Sequence, residues 1–242
     1  MQMLPDTVLQ QVRDRFEQRL AGPVEARLYI RPGSGRLILP PGTGCPTCED
    51  TRQLITALAE QAPDHVLLEV VDVTQQDAGE EVIDIPFLTL GTPGADHRIR
   101  FLGLPAGFEF GMVVEAVEML STGAADLAAE SIEDLAAIEE PVEVMVFTTP
   151  TCRYCPAAVS LANRLTLANP QVTAVTVSAG EFPRLAGAFG VQGVPRTVVN
   201  RNGAFVGAVP EPAFVDAVLR LAGVRTEADP EKQPVEGASS SL

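Results

Sequence analysis

The amino-acid sequence repeats itself once, in the same order and at nearly constant spacing. Four pairs of segments carry the repeat: 22–30 with 140–148, 45–48 with 152–155, 84–90 with 193–199 and, more loosely, 100–110 with 204–214. Offsets between matching positions are 118, 107, 109 and 104 residues, counted from Pro23 to Pro141, Cys45 to Cys152, Pro86 to Pro195 and Gly103 to Gly207. Repeats of this length are whole domains and not solenoid units. The chain is therefore predicted to be a duplicated domain.

The repeat sets the domain boundaries. Residues 1–121 form the predicted first unit, which contains CPTC, and residues 122–225 form the second, which contains CRYC. Residues 226–242 are polar, aperiodic and rich in Pro, Gly and Ser, which predicts a disordered tail.

Each copy opens with a helix-like segment, over 6–20 in the first and 125–138 in the second. The apolar residues at helical spacing are Val8, Leu9, Val12, Phe16 and Leu20 in the first, and Leu127, Ile132, Leu135 and Ile138 in the second. Each copy then reads strand, Cys-X-X-Cys, helix, strand, short helix, strand, strand, helix. This alternation predicts an α/β protein made of two tandem units, each a mixed β-sheet flanked by helices.

Composition excludes several classes of function. The formal net charge of −15 disfavours nucleic acids and anionic membranes as partners, because both are bound by basic patches. No apolar run approaches ~18 residues, and the polar, charged start is unlike a signal peptide. We expect a cytoplasmic protein. Four cysteines in 242 residues are too few for a disulfide scaffold.

The two Cys-X-X-Cys motifs follow apolar, strand-like segments and precede amphipathic helices. A cysteine at a helix N-terminus is favoured as the thiolate, and a second cysteine on the same face lies within bonding distance. The spacing leaves three interpretations open: a reversible redox couple, a zinc site built from both pairs, and inert thiols. Zinc sites usually join pairs ~15–20 residues apart, whereas these pairs are 107 residues apart, so we favour redox chemistry.

An X-Pro pair follows each motif at a similar distance. Ile85-Pro86 lies 41 residues after Cys45, and Val194-Pro195 lies 43 residues after Cys152. Each pair opens a predicted strand, where a cis bond can be accommodated and can expose a backbone edge beside the motif. Because the feature occurs in both copies, we predict that Ile85, Pro86, Val194 and Pro195 bind substrate.

These features resemble the thioredoxin/glutaredoxin fold, and two copies in one chain resemble the protein disulfide oxidoreductases. The similarity runs from about residue 6 to 224 and is clearest in FLGLPAGFEF (101–110) and VFTTPTCRYCPAA (146–158). It implies a thiol–disulfide oxidoreductase that acts on protein disulfides. The resemblance implies that Cys45 and Cys152 are nucleophiles, Cys48 and Cys155 resolving thiols, and Pro86 and Pro195 cis-prolines.

The resemblance also implies partners and leaves alternatives. It implies a flavoprotein of the thioredoxin-reductase type, or a peroxiredoxin, since the N-terminal module of flavoprotein peroxiredoxin reductases is similar too. We expect no bound flavin or nicotinamide, because no phosphate loop or dinucleotide fingerprint is present. Two alternatives remain: a non-catalytic binding module, stabilised or not by a metal, and a glutathione-dependent glutaredoxin.

Three other features lie outside the repeated motifs. A Gly/Pro-rich insert at 31–44 is either a loop over CPTC or a simple hairpin extension. His65 and His97 are expected at the surface, far from the motifs. Asp72 is interpreted as a solvated strand end, and its counterpart in the second copy is Ser178.

Overall fold

The computed structural model describes residues 4–31, 45–74 and 84–225. These residues form a single eight-stranded mixed sheet in the order β2-β1-β3-β4-β6-β5-β7-β8. The strands are β1 Val24–Ile30, β2 Val66–Asp72, β3 Phe87–Gly91, β4 Ile99–Leu102, β5 Val142–Thr148, β6 Val172–Ser178, β7 Arg196–Val199 and β8 Gly203–Val206.

Seven helices lie within the described residues. They are α1 Asp6–Arg19, α2 Cys48–Ala59, α3 Phe108–Thr122, α4 Ala129–Leu135, α5 Cys155–Ala168, α6 Pro183–Ala188 and α7 Glu211–Leu221. The described helices and strands alternate as predicted, so the α/β fold class is confirmed. The predicted tail, and all but one residue of the 31–44 insert, lie outside the described residues.

Both units use the same arrangement of strands. β1 is parallel to β2 and antiparallel to β3 in the first unit, and β5 is parallel to β6 and antiparallel to β7 in the second. Ile30 is opposite Asp72, and Thr148 is opposite Ser178. The register therefore confirms that Ser178 is the counterpart of Asp72.

The two units are joined through the sheet. β4, at the end of the first unit, pairs in parallel with β6 of the second, from Ile99 opposite Ala174 to Leu102 opposite Val177. β3 is antiparallel to both β1 and β4, so β1, β4, β6 and β5 all run in one direction. Their C-terminal ends consequently lie at the same edge of the sheet.

The core has two parts because side chains alternate between the faces of a strand. The larger cluster packs α1–α5 and α7 against one face, and includes Val144 and Val146 of β5. A smaller cluster on the other face includes Met145, Phe147 and Ala186 of α6. β5 is therefore buried on both faces, whereas β1 is more exposed on one.

Arg98 closes the junction between the units at the opposite edge of the sheet. Its Nη1 donates hydrogen bonds to the carbonyl oxygens of Thr166, Asn169 (2.9 Å) and Val172 (3.1 Å). Carbonyls at the C-terminal end of a helix have no partner within the helix, and a cation there also complements the helix dipole. Arg98 of the first unit thus completes the end of α5 in the second.

The second helix-like segment differs from the prediction. The structure has α4 only over Ala129–Leu135, and Ile132 is 42% exposed although the apolar spacing predicts it on the buried face. Leu135 and Ile138 are buried as predicted, and Leu127 packs against the core. Ser131, four residues before Leu135, takes the buried position in place of Ile132.

We expect Arg98→Ala to lower the free energy of unfolding by about 2–4 kcal/mol, because several charged hydrogen bonds to partly buried carbonyls are lost. Chemical unfolding in urea measures the change. Arg27→Ala is the matched control, since its side chain is 46% exposed and its ion pair with Glu69 lies at the surface; its effect should stay within about 1 kcal/mol. Equal effects of the two substitutions would contradict this account of the junction.

Candidate functional site

Each Cys-X-X-Cys motif forms a disulfide within itself. Cys45 is bonded to Cys48 and Cys152 to Cys155, with Cα–Cα distances of 5.4 and 5.5 Å. Cys48 and Cys155 are 2% and 0% exposed, whereas Cys45 and Cys152 are half-buried. In both motifs, therefore, the first sulfur is the one that another molecule can reach.

The helix after each motif begins at the second cysteine, as predicted. α2 begins at Cys48 and α5 at Cys155. The first cysteine lies three residues before the helix begins. In the second site the N–H of Cys155 donates to Sγ of Cys152 at 3.1 Å. A hydrogen bond to sulfur from the positive end of a helix favours the thiolate.

Both X-Pro peptide bonds are cis, as predicted. Pro86 directly precedes β3 and Pro195 directly precedes β7, the strands that lie beside β1 and β5. Both prolines therefore lie at the same edge of the sheet as the disulfides. Ile85 and Val194, the residues before them, are partly buried against the core.

The two disulfides are well separated along that edge. The strands that precede the two motifs are β1 and β5, and β3, β4 and β6 lie between them. At about 4.8 Å per strand spacing, β1 and β5 are roughly 19 Å apart. A zinc ion binds sulfur at ~2.3 Å, so the two pairs are too far apart to share one ion. Within residues 4–31, 45–74 and 84–225, no cluster of three or more His, Cys, Asp or Glu side chains is arranged to hold a metal.

Glu109 is a functional candidate that sequence reasoning missed. It is only 2% exposed, on the first turn of α3, and its Oε1 accepts a hydrogen bond from Thr148 Oγ1 at 2.6 Å. Thr148 is the last residue of β5, four residues before Cys152. Glu109 thus belongs to the first unit but contacts the strand that leads into the disulfide of the second.

Burial raises the pKa of Glu109 to about 7, although the hydrogen bond from Thr148 acts in the opposite direction. The negative charge of Glu181 adds to the increase. A buried carboxyl with a pKa near neutrality exchanges protons readily at physiological pH, which is a frequent property of functional sites. In the sequence Glu109 looks like an ordinary acidic residue in the first turn of a helix, and no local signal distinguishes it.

One histidine prediction was wrong. The His97 side chain is 8% exposed, with Nδ1 3.0 Å from Thr89 Oγ1 and Nε2 3.3 Å from Glu25 Oε2. The β3–β4 connection folds it onto the polar face of the sheet. His97 lies two residues before β4 begins, and hence at the sheet edge opposite the disulfides, so it forms no Cys–His pair. Asp72 accepts hydrogen bonds from Thr74 at an exposed position.

Known proteins are similar in sequence to parts of this chain. Residues 142–220 match the thioredoxin domain family. The alkyl hydroperoxide reductase protein AhpF of Pseudomonas aeruginosa is 30% identical over 115 residues, which are 48% of this chain and 22% of that protein. The chain therefore spans about a fifth of the length of this curated relative.

Solved structures are similar over nearly the whole chain. A protein disulfide oxidoreductase from Aeropyrum pernix has 28% identity and a TM-score of 0.77, covering 91% of this chain and 94% of its own. The AhpF protein of Enterococcus faecalis has 21% identity and a TM-score of 0.77, over 90% and 100% of the two chains. At that identity the second likeness concerns the fold alone.

The fold is thioredoxin-like, and the chain is similar to a protein disulfide oxidoreductase over nearly its whole length. The resemblance seen in the sequence is confirmed. No helix among the described residues is long and apolar enough to cross a membrane. The roles of the individual site residues remain predictions.

The raised pKa of Glu109 predicts a pH-dependent stability. Its pKa is about 7 in the folded chain and 4.5 when exposed, so the folded state binds more protons between these values. Stability should therefore fall as pH rises through this window, by up to about 3 kcal/mol. Glu109→Gln removes the titrating group.

Urea unfolding of both proteins between pH 4.5 and 8 provides the measurement. The stability of the unsubstituted chain relative to Glu109→Gln should fall progressively with pH and level off above pH 7. Parallel stability curves would show that Glu109 titrates normally.

Proposed function

We propose that the chain catalyses thiol–disulfide exchange between its own Cys-X-X-Cys dithiols and disulfides of other proteins, as a reductase or isomerase. The observation that supports this is the repeated pairing of a half-buried first cysteine with a fully buried second cysteine at a helix N-terminus. An accessible sulfur attacks, and a shielded neighbour resolves the product.

The proposed reaction has two steps. The Cys152 thiolate attacks one sulfur of a substrate disulfide, forms a mixed disulfide and releases the other sulfur as a thiolate, which takes up a proton. Cys155 then loses its proton and attacks Sγ of Cys152, so that the second substrate sulfur leaves as a thiol. The products are a reduced substrate and the Cys152–Cys155 disulfide present in the structure. Cys45 and Cys48 perform the same steps in the first unit.

Glu109 is the proposed acceptor for the proton of Cys155. Its pKa of about 7 allows it to take up and release a proton near neutral pH. Two observations support this role: Glu109 contacts Thr148, four residues before Cys152, and α3 packs against α5, the helix that Cys155 begins. In the described part of the first unit the counterpart of Thr148 is Ile30, whose side chain has no hydroxyl to donate to a carboxyl group.

The X-Pro segments are the proposed substrate-binding edges. Ile85 and Pro86 lie beside β1, and Val194 and Pro195 beside β5, each at the sheet edge where the neighbouring disulfide lies. A substrate chain that reaches Cys45 or Cys152 would contact these residues. Backbone groups at such an edge can bind an extended peptide with little dependence on its side chains.

The proposed partners are protein disulfides, with a thioredoxin-reductase-like flavoprotein as electron donor or a peroxiredoxin as acceptor. The similarity to the alkyl hydroperoxide reductase protein AhpF over 115 residues supports this choice. The charge of −15 disfavours nucleic acid. A reducing compartment such as the cytoplasm suits a dithiol that must be re-reduced after each turnover.

Dithiothreitol-driven reduction of insulin should be accelerated by the intact chain. We expect Cys152→Ser to remove most of the activity, because the attacking sulfur is lost, whereas Cys155→Ser should accumulate mixed disulfides, because resolution is blocked. Precipitation of the insulin B chain and mass spectrometry of trapped adducts provide the two measurements. An oxidised peroxiredoxin as second substrate tests the proposed partner.

Three outcomes would contradict this proposal. If both substitutions left the rate unchanged, the second motif would not be the reacting site. An inactive wild-type chain would favour a non-catalytic binding module. Activity that depends strictly on glutathione would favour the glutaredoxin alternative.

Cys152 should be the more acidic of the two first cysteines. α2 carries Glu49 and Asp50 in its first turn, whereas α5 has no acidic residue there. Hydrogen bonds from Arg52 and Gln53 hold the pKa of Glu49 at about 2, so this residue keeps its negative charge, although Arg52 offsets part of its field. Exposed charges about 6–8 Å from the thiolate contribute about 0.5–1 kcal/mol each. Together they give a difference of about one unit between the pKa values of Cys45 and Cys152.

The pH dependence of iodoacetamide alkylation tests this order. One variant keeps only Cys45 and the other only Cys152, so each curve reports one thiol. We expect the midpoint for Cys152 to be about one unit lower. Equal midpoints, or a lower one for Cys45, would overturn the assignment.

A further inference from the structure

Thr47, the residue between the two cysteines that directly precedes Cys48, makes an unexpected contact. It occupies the N-cap position of α2, where a threonine side chain usually accepts a hydrogen bond from the helix, but it makes no such bond. Its Oγ1 instead donates to Glu181 Oε1, a residue 134 positions later in the second unit. The first motif is thus held by a side chain of the other unit.

Glu181 is itself fixed in place. It lies in the turn between β6 and α6, and its other oxygen, Oε2, accepts a hydrogen bond from the N–H of Leu104 at 2.9 Å. Gly103 approaches so closely that an added Cβ would lie 2.8 Å from Cβ of Ser178 and 3.0 Å from Oε2 of Glu181. Two donors from the first unit therefore bind one carboxylate of the second.

The second motif has a different residue at this position. The counterpart of Thr47 is Tyr154, which is 64% exposed. The carboxyl beside the second site is Glu109, which comes from the first unit and binds Thr148. Each unit therefore supplies a carboxyl group to the segment beside the disulfide of the other. Glu181 binds within a Cys-X-X-Cys motif, whereas Glu109 binds the strand that precedes one.

We propose that Glu181 is a positioning residue for the first redox site, through which the second unit sets the balance between disulfide and dithiol at Cys45 and Cys48. This inference rests on the proposed function, because it assumes that the first motif cycles between these states. The assigned contact is Thr47 Oγ1 with Glu181 Oε1.

Two effects of the contact have the same sign. The hydrogen bond holds Thr47, and with it the turn from Cys45 to Cys48, in the conformation of the disulfide. Reduction creates negative charge at Cys45, and a carboxylate bound two residues away opposes that charge, as Glu49 and Asp50 of α2 also do. Both effects favour the disulfide, so removal of Glu181 should favour the dithiol.

The test uses the full chain with Cys152→Ser and Cys155→Ser, so that only the first site reacts. In the measured equilibrium, the Cys45–Cys48 disulfide and two glutathione molecules give the protein dithiol and one glutathione disulfide. Thiol quantification at pH 7 over a range of glutathione ratios gives the equilibrium constant. We expect Glu181→Ala to shift it about three- to tenfold toward the dithiol.

Two conservative variants separate a positioning role from a loss of structure. Glu181→Gln keeps an acceptor oxygen for Thr47 but loses the charge, and Thr47→Val keeps the charge but loses the hydrogen bond. Each should shift the equilibrium in the same direction by less than Glu181→Ala. Glu139→Ala removes one charge from an exposed position in the second unit and should change the constant less than twofold. Urea unfolding of each variant shows whether it is folded.

A shift below twofold in folded Glu181→Ala, or a shift toward the disulfide, would overturn the inference. If Glu181→Ala fails to fold, the same criterion applies to Glu181→Gln and Thr47→Val together. Insulin reduction by wild-type chain tests the proposed function separately. An inactive chain whose first-site equilibrium still responds to Glu181 would refute the enzyme but not the contact.

Discussion

The parallel pairing of β4 with β6 is the constraint on which the rest of the structure depends. Four residues of the first unit pair with four of the second, from Ile99 to Leu102. Because the pairing is parallel, the strands that lead into both motifs run in one direction, and both disulfides lie at the same edge of the sheet. An antiparallel junction would have placed them at opposite edges.

The same junction creates the carboxyl contacts. β4 ends at Leu102, so Leu104 and Glu109 follow directly at the edge where β5 and β6 also end. Glu109 reaches Thr148, and Glu181 reaches Thr47 and the N–H of Leu104. These bonds cross the boundary between the units, so each redox site includes atoms from both. A single unit taken alone would lack one of its carboxyl groups.

Much of the fold could be predicted from the sequence, because local apolar periodicity and the internal repeat indicate the same elements. The cysteines and the cis-prolines were also found, since their recurrence at fixed spacing is itself a signal. Ile132 shows where periodicity fails: in a helix as short as α4 the neighbouring Ser131 is buried and Ile132 is exposed. Glu109 and Glu181 could not be found, because their partners are 39 and 134 residues away and depend on how the units join.

The geometry also limits how the two sites can cooperate. Thiol–disulfide exchange requires direct contact between sulfur atoms, whereas three strands lie between β1 and β5, the strands that precede the two motifs, and set them roughly 19 Å apart. The two disulfides of one chain therefore cannot exchange electrons directly while the sheet is intact. Their electrostatic surroundings differ as well, with Glu49, Asp50 and Glu181 at the first and the buried Glu109 at the second. Two chemically different dithiols on one edge suit partners that visit each site separately, and beside each site lies a carboxyl group of the other unit.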